Sequence, residues 1–184
     1  NGAITGMITG GASADTLTVN LDNTTRTQSG SINFNGGAGD DVVTIDGTAD
    51  SFAETFNPNI QVDGEQYDQL AYTKNSSTVN VDVNYRNVVV VNDTIKTSSL
   101  VINNALDSDT LYVSNTSFGA NSALVDVTFT SSDKGDITLA ALDNSKLVFT
   151  DSVEVNGDLT ITASDINQDS GTVTAQRLLL DNVA

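Results

Sequence analysis

The chain has 184 residues, no cysteine and no histidine, and 7 basic against 24 acidic residues leave a formal charge of −17. This removes disulfides, thiolate or imidazole metal sites, and any triad built on histidine or cysteine. Seven scattered basic residues also argue against nucleic acid and anionic membrane surfaces as partners, and the longest aliphatic run, Val88 to Val91, is far too short to insert into a membrane.

In chain order the dominant signal is alternation. Leu17, Val19 and Leu21 share one face of a run from Thr16, with Thr and Asn on the other. Val43 and Ile45 repeat the pattern, and Gly10-Gly11-Ala12-Ser13-Ala14-Asp15 aligns with Gly36-Gly37-Ala38-Gly39-Asp40-Asp41 at a spacing of 26 residues. That spacing falls in the range of stacked structural repeats. Residues 51–75 interrupt it, gathering Phe52, Phe56, Pro58, Tyr67 and Tyr72, and read as a long excursion folded over a repetitive rod. Alternation resumes at Val79 and Val81, and again over 125–130. Fainter echoes of the Asp-ended turn precede Leu111, Ile137 with Leu139, and Leu159 with Ile161. Residues 140–143 hold at most one turn of helix.

The fold predicted from these runs is all-β: a right-handed parallel β-solenoid of about seven coils stacked at ~4.8 Å, with a β-sandwich as the alternative. The expected inward residues are Leu17, Val19, Val43, Ile45, Val79, Val81, Ile137, Leu139, Leu159 and Ile161. The start at Asn1 carries no signal-peptide pattern and both ends read as ordinary coil. Residues 1–184 are therefore expected to be a single segment of a longer repetitive chain, continuing head to tail into more chain or another copy.

Residues 36–44 fit the G-G-x-G-x-D-x-U-x pattern of calcium-binding RTX repeats, with Val42 and Val43 following the aspartates. Glycines expose carbonyls and a carboxylate completes an all-oxygen shell for a hard cation. Asp15, Gly37, Gly39, Asp40 and Asp41 are thus candidate Ca²⁺ ligands, the only cofactor suggested; solvated turns are the other reading. RTX nonapeptides come in tandem, whereas these two copies lie 26 residues apart. Asp165-Ile166-Asn167-Gln168-Asp169 imitates an EF-hand opening, but Ser170 stands where glycine is needed and Gln176 where the bidentate glutamate belongs.

Catalysis is not expected. Asp40 and Asp41 are adjacent strand residues and point to opposite faces, unlike the paired carboxylates of a glycosidase. Arg86 and Lys96 sit near acids in the sequence but in no lyase-like motif. The Thr-x-Thr pairs wander between coils, unlike a flat ice-binding array.

Residues 155–163 and 171–180 resemble the degenerate coils of filamentous-haemagglutinin-type adhesins and autotransporter passengers. Residues 83–89 with 36–47 are similar to Asp-rich repeats of giant surface proteins of environmental bacteria. The resemblance implies a secreted, non-catalytic stalk or adhesive filament at the bacterial cell surface, touching itself and cell-surface glycans or proteins. A calcium-dependent binding module for sugar or protein is the alternative reading, and a solenoid polysaccharide-degrading enzyme the third.

Overall fold

The computed structural model describes residues 6–21, 29–47, 52–74, 80–103, 110–121, 123–140 and 145–181. These residues contain nineteen strands and one 3-10 turn, and no α-helix. The chain passes back and forth between two sheets. β1 (Gly6–Thr9) lies in the first and β2 (Thr16–Asn20) in the second; β3 (Ser29–Asn35) returns to the first and β4 (Val42–Asp46) to the second. β5 (Phe52–Val62), β6 (Glu65–Lys74) and β7 (Asn80–Arg86) all join the first, followed by β8 (Val90–Asp93) in the second and β9 (Thr97–Asn103) in the first. β10 (Thr110–Val113), β11 (Ser117–Ala120) and β12 (Val127–Thr128) join the second. Alternation then resumes through β13 (Lys134–Ala140), β14 (Lys146–Phe149), β16 (Asp158–Thr162), β17 (Asp165–Gln168) and β19 (Arg177–Asp181). β15 (Val153–Glu154) and β18 (Val173–Thr174) pair with each other at one corner.

A strand that returns to its own sheet by way of the other one must lie parallel to its predecessor, and the register shows this. Gly6 faces Ile32 and Thr16 faces Val42, so the 26-residue sequence repeat is one full passage through both sheets. Later passages are shorter: Asp158 binds back over 22 residues to Asp136, and Arg177 over 19 to Asp158.

Residues 52–74 do not form an excursion outside the sheets; they are built into the first one. β5 and β6 form an antiparallel hairpin that occupies two central places of the first sheet, between β7 and β9. Two features cause this. Phe52, Glu54 and Phe56 keep a period of two, as a strand does. Asp63 and Gly64 then take φ of 52° and 84°, the double positive turn that Asp-Gly favours in hairpins. The second sheet carries a matching insertion, with β12 and β11 running antiparallel between β8 and β10. Both sheets are therefore parallel toward their edges and antiparallel in the middle, at the same height in the two.

The core lies between the sheets. Val19, Val43, Ile45, Val81, Ile137, Leu139, Leu159 and Ile161 are buried as expected. Leu17 is only partly buried because β2 is an edge strand; Val79 and residues 141–143 lie outside the described residues. The middle is filled by aromatics, including Phe52, Phe56, Tyr72, Tyr85 and Phe118. On five adjacent strands of the first sheet, side-chain amides form a continuous ladder. Asn103 donates to Asn57 (2.7 Å), Asn57 to Gln69 (2.8 Å), Gln69 to Asn84 (2.9 Å) and Asn84 to Asn33 (2.6 Å). The ladder runs unbroken across parallel and antiparallel neighbours alike, tying the inserted hairpin into the sheet.

Candidate functional site

The two Gly-Asp turns stack as the repeat implied. Asp15 and Asp41 lie one strand apart, since Val42 N–H donates to Asp15 C=O at 2.9 Å. The glycines let backbone meet backbone: a Cβ on Gly10 would fall 2.1 Å from the Gly36 carbonyl oxygen, and Gly37, at φ +93°, would place one 2.5 Å from that of Gly11. The carboxylates serve the turns themselves. Asp15 Oδ2 accepts from Gly11 N–H and Asp41 Oδ1 from Asp15 N–H, both at 2.7 Å. Asp41 is fully buried, and its Oδ2 has no partner. Asp40, Gly37 and Gly39 are exposed on the outer side of the same turn. Among the described residues no group of three or more acidic side chains converges as a metal site would require. At the EF-hand-like segment, Asn167 donates to Asp169 (2.7 Å) and Gln168 to the Gly171 carbonyl (2.6 Å), so the side chains close a turn.

Of the basic residues weighed from sequence, Arg86 adjoins the second turn through its backbone, accepting from Gly36 N–H at 3.0 Å, while its side chain is engaged elsewhere. Arg86 pairs with Glu65 at 2.5 Å and stacks over the Tyr67 ring at 5.0 Å. Lys96 pairs with Asp133 at 3.0 Å.

The densest chemistry lies elsewhere, between the two hairpin insertions. Lys134, Glu54 and Asp93 have fully buried side chains in mutual contact. Lys134 Nζ donates to Glu54 Oε2 at 2.7 Å, to the Ile95 carbonyl at 2.8 Å, and to Asp93 Oδ2. Asp93 Oδ1 also accepts from Ile95 N–H (3.1 Å) and the Tyr72 hydroxyl (3.4 Å). Burial, reinforced by the Asp93 charge, pushes the Glu54 carboxyl up to about 8 despite the neighbouring ammonium. For Lys134 burial pulls the amine down, but the Glu54 and Asp93 carboxylates outweigh it and the net direction is up. Sequence reasoning passed over all three residues. A signal was present: Glu54 is in phase with Phe52 and Phe56, and Asp93 with Val91, at positions where the pattern demands an apolar residue.

One more buried carboxylate joins the insertions. Asp68 on β6 accepts from Asn59 N–H at 3.1 Å, and from Leu124 and Val125 N–H at 2.6 and 3.0 Å in the loop before β12. Burial raises it to about 6 against those three hydrogen bonds. Neither a protein-family model, nor a curated protein, nor a solved structure matches the chain.

Proposed function

We propose that this chain is a non-catalytic structural segment of a large secreted bacterial surface protein, a right-handed parallel β-solenoid that serves as a rigid stalk or adhesive filament. The observation that carries this reading is the state of the two ends of the sheets. Among the described residues β1 and β19 are the edge strands of the first sheet. They expose Met7, Ile8, Leu178, Leu179 and Leu180, the last at 62%. Apolar edge strands are templates for another strand, and a contact between opposite ends propagates along one axis instead of closing. Right-handed crossovers are the rule for parallel strands. The charge of −17 opposes lateral clumping, but at physiological salt it is screened beyond about 8 Å and does not block a junction one strand spacing long.

Sedimentation and fibre diffraction test this together. The chain should associate end to end as concentration rises, its filaments should give an axial reflection near ~4.8 Å, and Ile8→Lys with Leu179→Lys should return it to monomer. A concentration-independent monomer would sink the filament reading.

A calcium-dependent module is the second reading, favoured by one atom, the buried and unpartnered Asp41 Oδ2. Calcium should then raise the melting temperature in wild type and not in Asp41→Asn. Absence of both heat and thermal shift on titration removes it.

A further inference from the structure

The cluster between the hairpin insertions has the composition of a reactive site. An amine and a carboxyl from opposite sheets, Lys134 on β13 and Asp93 on β8, touch in a site from which water is excluded. Tyr72 and Ile95, both almost or wholly inaccessible to solvent, lie against them. A second carboxyl, Glu54 on β5, lies against the same amine at 2.7 Å. A simple ion pair needs one acid. Here two acids share one buried ammonium, and Glu54 Oε1 has no hydrogen-bond partner at all. A second buried carboxyl beside one ammonium adds a desolvation cost that a simple ion pair does not carry. As an arrangement for condensing an amine with a carboxyl the cluster is complete.

We infer that Lys134 and Asp93 become joined by an intramolecular isopeptide bond, with Glu54 as the catalytic proton shuttle. In the reacting form a proton has passed from the Lys134 ammonium to the Asp93 carboxylate, leaving a neutral amine against a neutral carboxyl in a site with no water to solvate separate ions. The free electron pair on Nζ then attacks Asp93 Cγ; a C–N bond forms and the carbonyl electron pair moves onto oxygen. Glu54 takes a proton from Nζ through one oxygen and returns one to the departing Asp93 oxygen. The carbonyl re-forms, the C–O bond breaks, and one water leaves. An ammonium and a carboxylate have become a secondary amide and water, with no change in oxidation state and Glu54 restored.

Burial pushes the Glu54 carboxyl up to about 8, in the range that suits a group that gives one proton while accepting another. The entropy of bringing the partners together is met by folding, and well-oriented intramolecular pairs reach effective molarities of about 10⁵–10⁸ M. The link would span 41 residues and tie one sheet to the other at the height where both carry a hairpin.

Mass spectrometry of the purified, folded chain, kept until its mass is constant, tests this directly. The intact mass should be one water below the sequence mass. Trypsin should fail to cut after Lys134, and the digest should contain a branched peptide joining residues 87–96 to 97–146. Glu54→Gln keeps the shape of the side chain and removes the exchangeable acid; it should stay at full sequence mass while still unfolding cooperatively. A wild-type chain that unfolds cooperatively at full mass overturns the bond. So does a water lost elsewhere, as by cyclisation at Asp46-Gly47 or Asp63-Gly64, with Lys134 still cleaved. Equal cross-linking in Glu54→Gln overturns the role given to Glu54.

Discussion

Replacing Lys134 with methionine is expected to lower the unfolding free energy by about 3–5 kcal/mol at pH 8. Methionine matches the length of the stem but carries no charge, so Glu54 and Asp93 are left facing each other in a site that is inaccessible on all sides. The loss should depend on pH, and its sign follows from where the protons sit. Burial raises the Glu54 carboxyl from 4.5 to about 8 in the folded chain, and the ammonium is what holds it that low. Such a group contributes its full stability below about 4.5 and loses it as pH rises through the folded value. Without Lys134 the folded value moves higher still, so the two proteins lose stability together up to about 8 and part only above it, where wild type has levelled off and the variant has not. Denaturant unfolding of both proteins at pH 6 and pH 9 should therefore show the wider gap at pH 9. An amide has no proton to lose there, so the part of the loss due to a missing cross-link should be the same at both pH values. A gap below about 1 kcal/mol at both would mean that the cluster is neither paired nor joined.

The sequence made the parallel part of the fold readable because that part is local and periodic. Leu17, Val19, Val43 and Ile45 each sit two residues from a like neighbour, and Gly10 repeats at Gly36 because only glycine lets two backbones approach so closely. The middle was harder for a different reason. The place of β7 is set by pairing with β3, where Asn84 meets Asn33 from 51 positions away, and no short window of sequence contains both. Asp63-Gly64 is nonetheless a legible hairpin turn, and it argues for two paired strands over 52–74 where the clustered aromatics suggest a covering loop. The buried cluster was missed for a related reason. Lys134 stands directly before Gly135 and Asp136, a turn-like composition, while the structure places it at an inward position of β13 opposite Thr97. The Gly-Asp turns show the opposite case. Motif and stacking agree there, yet one carboxylate oxygen of Asp15 and one of Asp41 are taken by backbone N–H groups.

Truncating Phe118 to alanine is expected to cost about 3–5 kcal/mol, because this ring is where the two insertions close on each other. Phe118 lies on β11 in the second sheet and is 1% exposed. Its ring meets Phe56 of the first-sheet hairpin edge-on at 5.1 Å and Phe129, beyond β12, at 4.9 Å. Removing it leaves a cavity bounded by two further rings, on strands that hydrogen-bonding fixes in place, so collapse to fill the space is limited. The neighbouring contacts make the effect non-additive. Phe56→Ala alone should cost a similar amount, and the double variant should cost less than the sum by about 0.5–1.5 kcal/mol, the size of an aromatic pair. Leu159→Ala, on the parallel strand β16, is the control, since it is equally buried and touches neither hairpin. Its cost should add to that of Phe118→Ala without coupling. Full additivity for Phe56 and Phe118 in guanidinium unfolding would show that the two hairpins stand in separate sheets without packing against each other.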